Sequence, residues 1–278
     1  RINSVSNDVR NYTLNLFHHH LVRKLMLDDE VQLSSSIRRQ YGDKSALAFK
    51  QACLILLENL FVFSLLRHQN MAGVETAGVL GISKARRAWE QDGEQTRLLF
   101  THSKEGQVLV RQLGLGVSGR YKTPLMKIGF FDKDYQYHLP KFQSCWSRAK
   151  AFIERDGSAL STLEGAAYKF LSEQLPVLKY KGAIVFENVP ETLSKGYSTA
   201  FSSSLTVRPG PSSCSSEDIS PSCQQACTTR SSGRSSHRGK VKNQSTSSWC
   251  IGVPSTSARK AWCWWRFFLP SSPWRGRR

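Results

Sequence analysis

Apolar residues recur at three- and four-residue steps through most of the first 195 positions, and that period predicts helices. Val9, Tyr12, Leu16, Phe17, Leu21 and Leu25 form one such stripe and predict a helix over about 7–27. Asp8 near its start and Arg23 and Lys24 near its end suit the helix dipole. A second, shorter helix is expected from Asp28-Asp29-Glu30 to Tyr41, with Gly42 as its stop. Residues 44–68, capped by Asp43 or Ser45, are apolar nearly all round and predict the central helix of the fold. A further helical stretch, 74–91, is interrupted by Gly78 and Gly81.

Beyond it the period is less even. Residues 96–101 fit a short strand and 104–114 a helix, which runs into the glycine-rich LGLGVSGRYKTP. The run MKIGFFDKDYQYHLP predicts strand, turn and strand, with Asp132-Lys133-Asp134 as the turn. Pro140 then opens a helix striped by Phe142, Cys145, Trp146, Ala149, Phe152 and Ile153. Ser161 and Glu164 have capping-box spacing for a partner helix that Pro176 ends, and GAIVFENV at 182–189 fits one more strand. The fold class expected is therefore mainly α: a multi-helix globular region over 1–196 with a small β-hairpin.

Composition changes near Lys195. From Tyr197 onward, 21 of 82 residues are Ser, and 6 of the 10 Pro and 5 of the 7 Trp lie there. Neither helical nor strand period is visible, so 197–278 is expected to be an unstructured, Ser/Arg/Pro/Cys/Trp-rich tail. Disordered tails are ordinarily poor in Trp and Cys, and translation in another reading frame after about Ser198 would produce such a mixture.

Charge follows the same division. The chain carries +18, of which 12 Lys and Arg against 2 Asp and Glu in 197–278 contribute +10. A balance this basic favours a polyanionic partner. Of the seven cysteines only Cys53 and Cys145 precede the tail, and both sit in apolar helical patterns as buried thiols of a reducing compartment. The opening residues have no apolar leader pattern, and the most apolar run, Ala52–Leu66, falls short of the roughly 20 residues of a membrane span. A cytoplasmic protein without membrane contact is expected.

Two stretches suggest a nucleic-acid contact. In TAGVLGISKARRAWEQDG, residues 76–93, Ala77 precedes Gly81 by four, and Leu80 and Ile82 flank the turn. Ser83, Lys84, Arg86 and Arg87 would open a recognition helix. The run resembles the helix-turn-helix of regulators and excisionase-type proteins, which implies duplex DNA as partner and a regulatory or mobile-element role; the same residues also fit an ordinary helix pair around a glycine turn. In VLVRQLGLGVSGRYKTP, residues 108–124, Leu113-Gly114 would be the turn and Ser118, Arg120, Tyr121 and Lys122 the contacts, the hairpin after it resembling the wing of a winged helix with Lys133 at its tip. The alternative function is a helical protein–protein module, an accessory subunit or a homo-oligomer without DNA affinity.

Other motifs carry less. Gly114, Gly116 and Gly119 spell GxGxxG, but Pro124 stops the helix a dinucleotide site requires. His18, His19 and His20 fan out by about 100° each on a helix and cannot share one ion, and His20 reads as a core histidine. Cys214, Cys223, Cys227 and His237 lack the paired short spacings of a zinc site. No catalytic constellation is visible, so nothing in the sequence points to an enzyme, although active sites often leave no linear motif, and no cofactor or metal is expected.

Overall fold

The computed structural model describes residues 9–108, 112 and 121–203. Ser118, Arg120, the GxGxxG glycines and all but the first seven residues of the expected tail lie outside the described residues. Eight α-helices are described: α1 (Val9–Leu27), α2 (Ser35–Tyr41), α3 (Leu47–Arg67), α4 (Ile82–Asp92), α5 (Lys122–Ile128), α6 (Gln143–Ile153), α7 (Ala159–Gln174) and α8 (Glu191–Ser203). Two short strands, β1 (Arg97–Leu99) and β2 (Ala183–Val185), complete the regular structure. The protein is mostly helical with a two-stranded antiparallel sheet.

The central element is α3, as its all-round apolar surface predicts. Every residue from Ala52 to Leu66 is buried. By length and composition α3 could cross a membrane, but its side chains are spent on neighbours within the protein. Those neighbours are α1, α4 and α8. Asp43 holds the start of the helix through its carboxylate, which accepts from the backbone N–H groups of Ser45 (2.7 Å) and Ala46 (3.1 Å). At its far end Arg67 makes a two-pronged pair with Glu94 (3.0 and 2.9 Å).

The last helix, α8, packs against both α7 and α3. Gly196 lets α8 approach α7 closely: a Cβ there would lie 3.2 Å from Leu163 Cδ1. Tyr197 and Phe201 enter the core, where Tyr197 meets Phe17 and Phe61 and Phe201 meets Phe61. Folded structure therefore crosses the compositional boundary at 196 and continues through Ser203.

Two turns of the chain are capped by serines rather than by the residues the sequence suggested. Ser34, not the Asp28–Glu30 run, caps α2 and also holds the end of α7, through Ser34 N to Leu175 O (3.0 Å) and Ser34 Oγ to Leu178 O (2.5 Å). Ser158, not Ser161, caps α7 by accepting from Ser161 N at 3.0 Å. Replacing Ser158 by Ala is expected to cost about 1 kcal/mol, read as a lower denaturant midpoint at unchanged slope.

Two expectations are corrected. The strand–turn–strand reading of 125–138 fails. Residues 122–128 form α5, ended by the left-handed Gly129 (φ 96°), and 131–139 are irregular. Phe130, Phe131, Tyr135 and Tyr137 are all buried, so their spacing reflects a loop that sends every aromatic inward rather than a strand with two faces. Asp132 organises that loop by accepting from the N–H groups of Asp134 and Gln136, both at 3.0 Å. The fully buried Lys50 of α3 holds it from below, donating to Tyr135 O at 3.0 Å. The sheet is consequently no hairpin: β1 and β2 come from distant parts of the chain and pair in the register Arg97↔Val185, Leu98↔Ile184, Leu99↔Ala183.

Secondly, residues 74–81 are not helical. Gly73, Gly78 and Gly81 all take positive φ (83°, 78° and 84°), and the segment is a chain of turns that begins to helix only at Ile82. The first helix of the expected helix-turn-helix is therefore absent, and with no β-hairpin at 125–138 the wing is absent too.

Candidate nucleic-acid interface

What remains of the first motif is its second helix. Ala85 is the buried anchor of α4, while Ile82, Ala88 and Trp89 are half-buried beside it. Trp89 packs against Phe63 of α3 and Phe186. That stripe turns the other side outward, and Ser83, Lys84, Arg86 and Arg87 are all exposed on it. Lys84 reaches Gln107 O at 3.3 Å and Arg86 reaches Thr76 Oγ1 at 3.0 Å. None of the three cations is in an ion pair with a described carboxylate, whereas Lys24, Arg67 and Lys181 each are. Open depressions flank the helix on both sides, one along Thr76, Ala77 and Ser83 and the other towards β1, and Arg87 borders both. Glu90 and Asp92 share the exposed surface, so the helix is basic at its first two turns and acidic beyond.

The second set of predicted contacts is not available in the same way. Tyr121 is buried, edge-on to Tyr12 at 5.2 Å, and is corrected from a contact residue to a core residue. Lys122 is half-buried, with its ammonium 4.3 Å above the Tyr135 ring and bonded to Lys133 O. Burial lowers its pKa, partly opposed by Asp134 and Asp132. It braces the aromatic loop, with its ammonium engaged there. Its partner there, Lys133, belongs to that loop and not to a wing tip.

The histidine run fans out as helix geometry requires, and each ring enters a different environment. His18 faces Phe61 and Tyr197. His19 lies tilted against Phe131, ring centroids 4.4 Å apart, and shares a 2.8 Å hydrogen bond with Tyr137 Oη through Nδ1. His20 lies beside Trp146, with Nε2 3.6 Å from Glu154 Oε1 and 3.9 Å from Glu164 Oε1. Burial, aided by Lys24, Arg23 and Lys150, lowers the His20 pKa to about 4, so the ring is neutral at pH 7. Sequence reasoning placed His20 in the core but missed Glu154 and Glu164. Glu164 had been read as half of a capping box, and only the packing of α6 and α7 on α1 brings the two acids to the ring.

A second polar cluster lies under α3. Glu58 and Asn59, both buried, hold the chain that follows β1: Gln112 Nε2 donates to Glu58 Oε2 (2.7 Å) and Asn59 Oδ1 (3.1 Å), and Asn59 Nδ2 donates to Gly106 O (2.8 Å). A cavity of about 10 Å³ beside Glu58 is lined by Asn15, His18 and Tyr121, room for about one water. Burial raises the Glu58 pKa to about 7, with Gln112 opposing the rise.

The chain matches no protein-family model, no curated protein and no solved structure.

Proposed function

We propose that this protein binds nucleic acid, duplex DNA in the first instance, through the outward face of α4. One observation carries the reading: Lys84, Arg86 and Arg87 stand exposed on the first two turns of one helix, with no ion pair to a described carboxylate. An unpaired cation on a rigid element keeps its charge available for a phosphate, and each phosphate neutralised releases a counterion. Ser83 adds a hydroxyl donor at the same end. Because α4 has no helix packed before it in helix-turn-helix fashion, its role is phosphate contact rather than motif-type insertion of a recognition helix. The alternative, a protein-interaction module, is favoured less. The large hydrophobics exposed among the described residues are Leu27, Leu47 and Val177, and an obligate interface is more apolar than that.

The test is fluorescence anisotropy of the full chain with a duplex, titrated over salt, for wild type and the double variant Arg86→Glu/Arg87→Glu. Residues 197–278 are common to both proteins, so their +10 charge cancels in the comparison. Loss of two phosphate contacts is expected to flatten the log K against log salt slope by about 2 and to weaken binding at least about tenfold at 0.1 M salt. Identical slopes for the two proteins would remove α4 from the contact surface.

A further inference from the structure

His20 of α1 is 2% exposed, and both of its ring nitrogens are buried without a hydrogen-bond partner. Its Nε2 points between Glu154, at the end of α6, and Glu164 of α7. One ligand atom from each of the three residues lies within 4.8 Å of the others. We propose that His20, Glu154 and Glu164 form a binding site for a divalent transition-metal cation of the zinc class.

The geometry fits the ligand. With metal–nitrogen and metal–oxygen bonds of about 2.0–2.1 Å, neighbouring ligand atoms of a tetrahedral ion stand about 3.4 Å apart. The His20–Glu154 and His20–Glu164 separations of 3.6 and 3.9 Å need only small side-chain shifts to reach that. One imidazole nitrogen and two carboxylates are a borderline ligand set that zinc, cobalt and iron accept and magnesium and calcium do not favour. Three protein ligands from three helices leave the fourth position for water. That position faces outward, because the Glu154 side chain is 34% exposed while Glu164 is only 11% exposed.

Binding satisfies one of the two orphan ring nitrogens, which otherwise costs free energy in the interior. Without an ion, the ammonium of Lys24 stands in for the cation, 2.5 Å from Glu164 Oε1 and 4.3 Å above the Tyr168 ring. Its side chain is 40% exposed, so it can swing to solvent when a metal takes the carboxylate. Lys24 is thus a competitor of the ion, and its removal should tighten binding.

The experiment is a cobalt(II) titration of the full chain, followed by visible absorption, which separates nitrogen and oxygen ligation from the thiolate ligation that the chain's seven cysteines could provide. The expected result is one equivalent of cobalt bound without a thiolate charge-transfer band and displaced by zinc. His20→Asn and Glu164→Gln should each weaken that binding by about 100-fold, at or beyond the 10- to 100-fold losses seen when only an orienting partner is removed. Lys24→Met should strengthen it several-fold. Should His20→Asn fail to fold by circular dichroism, Glu154→Gln decides, because Glu154 is at the rim and its loss should still weaken binding at least tenfold. Absence of a thiolate-free site in the wild type, or an affinity that neither Glu154→Gln nor Glu164→Gln changes, overturns the proposal.

Discussion

Trp146→Ala is expected to cost about 4 kcal/mol of folding stability, within the range for emptying a large aromatic site. The side chain is 1% exposed and is the largest fully buried one described. It joins three parts of the fold. Its ring lies edge-on to Phe130 (5.2 Å) and Tyr137 (5.7 Å) of the aromatic loop, the Arg23 guanidinium of α1 sits 5.4 Å from its face, and Nε1 donates to Phe130 O at 2.6 Å. Trp146→Phe separates the two contributions. It keeps most of the ring but removes the indole Nε1 that donates to Phe130 O, so a smaller loss of about 2 kcal/mol is expected. Domains of ordinary stability hold only about 5–15 kcal/mol in all, so the alanine variant should melt far earlier or fail to accumulate. Chemical denaturation of the two variants beside wild type makes the comparison. A cost below about 1 kcal/mol for Trp146→Ala would mean that the loop is not anchored through this residue.

Glu58→Gln is expected to stabilise the protein at alkaline pH and to remove a pH dependence. Burial raises the folded pKa of Glu58 from 4.5 to about 7. Between those values the folded state binds more protons than the unfolded chain, so the group's stabilising contribution is complete below pH 4.5 and is lost as pH rises through about 7. At 1.36 kcal/mol per unit the whole effect is about 3 kcal/mol, of which about 2.5 falls between pH 5 and 8.5. The glutamine variant cannot ionise and retains an acceptor for Gln112, so its stability at pH 8.5 should exceed wild type by about 2–3 kcal/mol while the two stay close at pH 5. Denaturant midpoints at the two pH values give the answer. Parallel pH profiles would show that Glu58 titrates normally, with water reaching it through the adjoining cavity.

The parts of the fold that were legible in the sequence are those governed by local period. The stripe from Val9 to Leu25 gave α1, the all-round apolar run gave α3, and the Phe142–Ile153 stripe gave α6, because in each the face that packs repeats within the helix itself. The short strands at 97–99 and 183–185 were placed, but not as partners, since strand pairing is a tertiary fact. Failures cluster where tertiary packing overrode local pattern. Four aromatics between 130 and 137 read as a hairpin because alternation implies two faces; in the folded chain His19, Lys50 and Trp146 draw all of them to one side. The helical stretch expected over 74–91, already interrupted by Gly78 and Gly81, starts only at Ile82, because Gly73, Gly78 and Gly81 all take positive φ. On α4 the exposed cations were readable, because the anchor Ala85 and the half-buried Trp89 fix which side faces out. The grouping of His20, Glu154 and Glu164 was not, because no spacing along the chain relates residues brought together by three different helices.

The position of α8 has a consequence during synthesis. Tyr197 and Phe201 close the core over Phe17 and Phe61, yet α3, the most apolar helix of the chain, is made long before them. At about 5–20 residues per second, a ribosome needs on the order of ten seconds to pass from α3 to the end of α8. Through much of that interval α3 lacks the helix that closes it on one side, and β1, once made, lacks β2. Apolar surface and an unpaired strand left open for that long favour aggregation of the nascent chain, so truncation before α8 is expected to lower the soluble yield.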